Sequence, residues 1–311
     1  MTEREHGLIL GDSITLERVR TDDAFNLVSL LNDDTDDTTL EDSPYYQYPG
    51  INSCEYYDPD QFAIYTKELK KNTSFFHLNC QGLRSNWDNF QTLMCDISTD
   101  NFSFDFIGIS EVFRCDNEAC LSLPGYHTLI TRTRDDDSRG GVGLFIRDKI
   151  NYKIREDLSV FIPHVIESLF IEIDSNKNNP SIIGVIYRPN TPPRADVDIF
   201  SSTVCDLLDQ INRERQGSVI MGDCNIDLLK CYTHIKTTEY IDHIFSRGFL
   251  PVITKPTRVC VNDLQSSATL IDNIFTNNMS SSSKSGVIIN DVADHFGIFY
   301  IILYRIMCRD V

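Results

Sequence analysis

Ser218-Val219-Ile220-Met221-Gly222-Asp223-Cys224-Asn225 is the stretch on which the reading of this chain turns. Residues 218–221 read as a short strand, because an unbroken run of β-branched and long apolar side chains suits a sheet covered on both faces. Gly222 ends the run, and two polar side chains, Asp223 and Asn225, follow. Alone, this is as readily an Asx turn closing a strand. The arrangement recurs, however: Asn79 ends Phe75-Phe76-His77-Leu78, and Glu111 ends Phe106-Ile107-Gly108-Ile109-Ser110. Singly these are a turn-forming asparagine and a solvated glutamate. Together they put groups capable of metal and phosphate chemistry on strand ends, which are rigid mounts opening onto loops.

Outward from that stretch, residues 74–79, 104–110, 141–146, 168–173, 181–187, 269–275 and 296–304 also read as strands rich in Ile, Val and Phe. Apolar residues at helical spacing over 87–97 and 195–212 predict helices, with a third at 240–245 and a short one at 58–71. Many strands with few, separated helices predict an α/β sandwich of two packed sheets with helices outside them. No internal repeat interrupts the pattern.

The charge is uneven. The chain of 311 residues carries a net −18, which taken whole disfavours a nucleic-acid partner. Residues 1–60 hold 15 acidic and 3 basic side chains, so two thirds of the imbalance lies in the first fifth of the chain and −6 remains for the rest. The run Leu31-Asn32-Asp33-Asp34-Thr35-Asp36-Asp37-Thr38-Thr39 repels itself and seldom orders alone. Residues 1–70 are therefore read as an acidic, largely disordered extension, and 71–311 as the folded domain. Ten cysteines without a CxxC pair read as reduced thiols. The amino-terminal residues lack a signal-peptide pattern and no apolar run reaches the ~20 residues of a membrane span. A nuclear or cytoplasmic protein, not secreted and without a membrane partner, is the expectation.

Leu78-Asn79, Ile109-Ser110-Glu111, Arg139-Gly140-Gly141-Val142-Gly143-Leu144-Phe145-Ile146, Gly184-Val185-Ile186-Tyr187-Arg188-Pro189, Met221-Gly222-Asp223-Cys224-Asn225, Leu270-Ile271-Asp272-Asn273-Ile274-Phe275 and Asp294-His295 occur in that order. The series resembles the motifs of the endonuclease/exonuclease/phosphatase superfamily over roughly residues 74–302. The Arg139 block, the Tyr187-Arg188-Pro189 and the Lys255-Pro256-Thr257-Arg258 resemble in particular the endonuclease domain of non-long-terminal-repeat retrotransposon polyproteins. The resemblance implies a four-layered, deoxyribonuclease-I-like sandwich of two mixed sheets flanked by helices. It implies a Mg²⁺-dependent phosphodiesterase, with Mn²⁺ as a substitute, that nicks one strand of DNA. A reverse transcriptase domain encoded elsewhere would extend the 3′-hydroxyl.

The resemblance also implies roles. Glu111 and Asn79 match a metal-site pair, and Asp294 a carboxylate at a second metal position. Asp223 matches the group that positions or deprotonates the attacking water. Asn225 and Tyr187 match groups bonded to the scissile phosphate, and His295 the histidine at that phosphate, oriented by Asp272. Arg139, Arg188 and Thr257 match substrate-binding positions. The chemistry is coherent, since hydrolysis of an anionic diester needs the phosphate neutralised, the water acidified and the leaving oxygen stabilised. Arg132, Arg134, Arg139, Arg147, Lys149, Lys153 and Arg155 offer a basic face, or a solvated hairpin given Asp135-Asp136-Asp137 in the same loop. Two departures stand out. Cys224 replaces a usual phenylalanine, and strand alternation should turn it away from the site; Ala293 replaces a usual serine and removes a hydroxyl. The competing expectations are a phosphatase or phospholipase acting on inositol phosphates or sphingomyelin, and a catalytically silent interaction module.

Overall fold

Alternation along each apolar run sets the layers. Phe75 and Phe106 stack on one another with ring centroids 5.3 Å apart and join the core between two sheets. Their neighbours Phe76 and Ile107 point the opposite way, into a second apolar cluster beneath helices. A strand buried on both faces needs apolar residues at every position, which is why these segments read as continuous runs. The computed structural model describes residues 54–69, 72–114, 121–134, 139–174, 181–190, 197–262, 265–278 and 282–303. The acidic run at 31–39 lies outside them.

The first sheet has the order β1 (Glu55–Tyr57), β15 (Ser283–Ile288), β16 (Gly297–Leu303), β2 (Asn72–Asn79), β3 (Phe106–Ser110), β5 (Val142–Ile146) and β4 (Ile130–Arg132). The second has β11 (Leu250–Pro251), β14 (Asp272–Thr276), β10 (Ser218–Asp223), β9 (Ile182–Tyr187), β8 (Ile166–Ile173) and β6 (Tyr152–Ile154), with β7 (Phe161–Ile162) beside β8. A separate hairpin joins β12 (Arg258–Asn262) to β13 (Gln265–Thr269). Each sheet has a central parallel pair, β2 with β3 and β9 with β10, flanked by antiparallel neighbours. A parallel pair needs a crossover. Helix α2 (Trp87–Asp96) lies in the first and helix α3 (Val197–Glu214) in the second.

The helices complete the four layers. Phe90 of α2 stacks on Phe145, and Phe62 of α1 (Pro59–Thr66) meets Phe299 at 4.8 Å, so α1 and α2 cover the outer face of the first sheet. Phe200 of α3 and Phe275 both lie against Tyr240 of α4 (Ile235–Ser246), which covers the second. Helix α1 begins with a capping box, Asp58 and Gln61 satisfying each other's backbone N–H groups. The folded body thus reaches back past the boundary drawn at residue 70: β1 pairs in parallel with β15, Glu55 opposite Gly286 and Tyr57 opposite Ile288. The composition of residues 1–60 hides this because the short pairing segment is submerged in an acidic average.

The strand at 218–221 is longer than its apolar run. β10 continues through Gly222 and Asp223, so Asp223 sits inside the ladder and not after it. Gly222 permits this: a Cβ there would run into the backbone carbonyl of Ile186 on β9. Gly222→Ala should cost about 3 kcal/mol or more in urea unfolding, since the obstacle is backbone and cannot swing aside. Gly248 faces open space at φ +75°. Gly248→Ala should cost only about 1–2 kcal/mol, the strain of a left-handed alanine.

Candidate active site

Register places the polar row. Glu167 pairs with Tyr187 between β8 and β9, Tyr187 with Asp223 between β9 and β10, and Asp223 with Asp272 between β10 and β14. Four adjacent strands therefore present four ionisable or hydroxyl side chains at one level of the second sheet. The first sheet answers with Asn79, opposite Ser110 at the carboxyl ends of β2 and β3, and with Glu111 just beyond. Asn79 joins the two halves: its amide Nδ2 donates to Glu111 Oε1 and to Asp223 Oδ2, 2.9 Å in each case. Tyr187 adds its hydroxyl to Glu111 Oε1 at 3.0 Å.

A cleft of about 410 Å³ opens above this row, lined by Gln81, Glu111, Phe113, Arg134, Arg139, Gly140, Tyr187, Asn190, Asp223, Asn225, Arg258 and His295. Its loops are strained where they turn. Gln81, Glu111, Phe113 and Asn225 all line it with φ between 44° and 58°, and only two further non-glycine residues of the described chain share that conformation. Residues held in the left-handed region concentrate where function fixes a side chain against local preference. For Glu111 the left-handed turn ends β3 and brings the carboxylate over the sheet end.

The electrostatics centre on Asp272, Asp223 and His295. Burial and the neighbouring Asp272 push the Asp223 carboxyl up to about 7, against the opposing pull of His295 and the Asn79 amide. Burial also works against the Asp272 anion, but His295 and Thr257 hold it below its ordinary value. Asp272 Oδ2 lies 2.8 Å from His295 Nδ1 and accepts the Thr257 hydroxyl at 2.7 Å. Burial disfavours the imidazolium of His295, yet Asp272 and Asp223 outweigh it and raise the ring to about 9. His295 is thus charged at neutral pH with Nδ1 committed to Asp272. Its Nε2 remains for a substrate oxygen. Burial pushes the Tyr187 phenol far up, so its hydroxyl stays a donor.

The sequence-derived site residues separate into those that face the cleft and those that hold them. Glu111, Tyr187, Asp223, Asn225 and His295 converge on it, and Arg139 stands at its edge. Asp272, expected to orient His295, does so from beneath. Asn79 departs from its expected metal role. It is fully buried, its amide nitrogen serves the two carboxylates, and its Oδ1 accepts the Gln81 N–H at 3.0 Å. Asp294, expected at a second metal position, is bound by Arg258 through Nε at 2.9 Å and through a second nitrogen, and Gln81 holds its other oxygen. Arg188 is 5% exposed, its guanidinium at 3.0 Å from the Asn225 carbonyl and stacked over Phe200. It braces the Asp223–Asn225 turn and does not line the cleft. Thr257, fully buried, serves Asp272 in place of substrate. Cys224 turns away as alternation requires, its thiol 3.4 Å from the Tyr240 hydroxyl.

Sequence reasoning missed a supporting set. Arg258, one position along the same motif, lines the cleft where Thr257 was expected to meet substrate. Arg134 bonds fully buried Glu167, which also accepts the Gly141 N–H. Glu167 gives no signal in sequence, being one acid at the start of an apolar run. Phe113 and Gln81 are fixed by the loop backbone: Phe113 N–H donates to the Gly140 carbonyl at 2.8 Å and Gly82 N–H to the Glu111 carbonyl at 2.8 Å.

A divalent cation fits one part of this site. Asp223, Asp272 and His295 have ligand atoms within 4.8 Å of one another, yet His295 is protonated and bonded to Asp272, and an imidazolium offers no lone pair. Glu111 and Asp223 are the better donors: both face the cleft, and the shared Asn79 amide keeps their oxygens within about 6 Å. Mg²⁺ takes hard oxygen ligands and retains several waters, so one or two carboxylates suffice. Asp223 and His295, raised above their ordinary values, contribute stability that is present at low pH, whereas His77 and Asp272, lowered by their surroundings, contribute stability that is lost in acid. The first contribution declines as pH rises through about 7 for Asp223 and about 9 for His295, so above neutrality the decline is unopposed by the second. In metal-free buffer the urea midpoint should fall between pH 7 and pH 9. Mg²⁺ at about a hundred times its Kd should restore roughly 2.7 kcal/mol at pH 8, and Glu111→Ala should remove that gain.

No family model and no curated protein matches the sequence. Solved structures do. The endonuclease domain of TRAS1, a telomere-specific non-LTR retrotransposon, has TM-score 0.53 at 12% identity, covering 76% of this chain and 99% of that one. Truncated Caenorhabditis elegans TDP2 has TM-score 0.53 at 12% identity, covering 76% and 100%. An endonuclease/exonuclease/phosphatase family protein from Bacteroides thetaiotaomicron has TM-score 0.51 at 16% identity, covering 76% and 96%. At these identities the likeness is one of architecture, and the architecture of this chain is the deoxyribonuclease-I-like fold of the endonuclease/exonuclease/phosphatase superfamily.

Proposed function

We propose that this chain hydrolyses phosphodiester bonds of DNA, nicking one strand, with a divalent cation, Mg²⁺ or Mn²⁺, anchored by Glu111. The observation that carries the reading is the meeting of Glu111, Asp223 and His295 around one cleft, two carboxylates from different sheets facing an imidazolium held by Asp272. Bound there, the cation would neutralise phosphate charge and acidify water. The remaining tasks fall to the chain itself. Asp223, fixed by the Asn79 amide and the Asn225 N–H at 2.9 Å each, orients the attacking water and accepts its proton. His295 donates from Nε2 to the scissile phosphate, whose negative charge grows toward the transition state. The water oxygen joins phosphorus, the P–O3′ bond breaks and O3′ takes up a proton, leaving a 5′-phosphate and a 3′-hydroxyl.

Two features favour a polynucleotide over a small phosphate ester. The cleft is lined by three arginines, Arg134, Arg139 and Arg258, the last bridged to His295 through its backbone. Among the fold's neighbours, Danio rerio TDP2 was solved with a single-strand DNA product, and the Neisseria 3′ phosphatase NExo with a product DNA hairpin. The TRAS1 likeness supports a role in retrotransposition, the 3′-hydroxyl serving a reverse transcriptase carried on another segment or chain.

Supercoiled plasmid incubated with Mg²⁺ should become open-circular, and a chelator should stop it. Asp223→Ala and His295→Ala should each lower the rate by about 10²–10³-fold or more. Parallel reactions with inositol phosphates and sphingomyelin complete the test, since turnover of those alone with intact plasmid rejects the nuclease. Arg258→Ala should weaken DNA binding and reduce the salt slope by about 1, as expected for one lost phosphate contact.

A further inference from the structure

A second histidine lies under the site and has no part in the steps above. His77, on β2, shares the inter-sheet face with Phe75 and is fully buried. Its Nε2 is 2.9 Å from the Ser110 hydroxyl on β3. Its Nδ1 faces Asp272 Oδ1 of the other sheet across 4.0 Å. Those two atoms are buried and have no hydrogen-bond partner among the described residues. Asp272 is therefore half used: Oδ2 serves His295 and Thr257, while Oδ1 points at an imidazole nitrogen one ångström beyond bonding distance.

The chemistry of the pair favours hydrogen on Nδ1. A carboxylate only accepts, and a neutral imidazole has one N–H. The Ser110 hydroxyl can donate to Nε2, leaving the hydrogen on Nδ1, the side of Asp272. Burial of a polar pair without bonds is unfavourable, so a hydrogen bond between these two atoms would relieve both at once.

We propose that His77 is a positioning residue for the reaction at this cleft. As the Nδ1–H tautomer, it donates to Asp272 Oδ1 and holds that carboxylate between two imidazoles, so that Oδ2 stays in line with His295. A carboxylate bonded through one oxygen can rotate about its Cβ–Cγ bond; one bonded through both cannot. The effect is on the orientation of His295 and so on the chemical step, with little effect on binding. The kinetic consequence rests on the proposed hydrolysis, whereas the hydrogen bond does not.

The test separates the two. In the whole protein, ¹⁵N NMR of the imidazoles should show His77 protonated at Nδ1 and bare at Nε2; the reverse tautomer overturns the proposal, whatever the enzyme does. Two variants follow. His77→Phe fills the space without a donor, and His77→Asn returns an N–H near the Nδ1 position. His77→Phe should lower kcat about 10- to 100-fold with KM within about twofold, and His77→Asn should recover most of the loss. A folded His77→Phe protein that turns over like its parent overturns the proposal, as does failure of His77→Asn to rescue a folded His77→Phe defect. If the parent cleaves no phosphodiester, the functional reading fails, and the tautomer measurement still decides the placement of His77.

Discussion

Asp223 and Asp272 face each other on adjacent strands, two carboxylates in direct register and both buried. Like charges so placed repel, more strongly for being out of water. Much of the surrounding structure answers that repulsion. His295 is drawn toward both and held in its charged form. Thr257 and the Asn79 and Asn225 donors spread the remaining negative charge over hydrogen bonds. What is left uncompensated is the Asp223 carboxyl, pushed to about 7. A fold that stored no strain here would pair this aspartate fully, and it would then have little attraction for a cation or a water proton.

The architecture makes such a cluster affordable by drawing its members from both sheets. The second sheet supplies Tyr187, Asp223 and Asp272 at one level, a row fixed by backbone pairing before any side chain is chosen. The first sheet contributes Asn79 and Glu111, and its β16 is preceded by His295. Relative placement of the sheets then depends on their packing, in which β10 crosses β2 and β3. Gly108 lies at that crossing, where a Cβ would meet Val185 at 2.9 Å and Met221 at 3.2 Å. A larger side chain there would part the sheets beneath the Asn79 bridge.

How much of this is legible in the sequence depends on whether a residue announces itself through its neighbours. Core strands are legible because burial on both faces leaves continuous runs such as Phe106 to Ser110 in β3. Edge and hairpin strands are not: β15 is Ser-Lys-Ser-Gly-Val-Ile, and its pairing comes from β1 and β16 and not from propensity. Asp223, Glu111 and His295 are legible because each adjoins an apolar run. Arg188 and Thr257 are legible as motif members but not in direction, since local sequence carries no information on whether a guanidinium turns out to a phosphate or in to the carbonyls of the next loop. Glu167 is invisible, because its meaning comes from Arg134 and Gly141, which are far from it in the chain.

The overall charge of −18 resolves at this local scale. Arg134 is bonded to Glu167, Arg258 to Asp294 and His295 to Asp272, so three of the cleft's cationic groups bring a carboxylate with them. Arg139 also lines the cleft, while Glu111 and an ionised Asp223 add two negative charges facing the opening. Among the described residues, carboxylates thus offset much of the cleft's positive charge toward phosphate. A single dication at Glu111 would restore it. On the proposed function the cation would serve the approach of substrate as well as bond cleavage, and the fixed arginines would set where the phosphate comes to rest. Field strength near the reacting atoms, and not the sum over the chain, governs that choice.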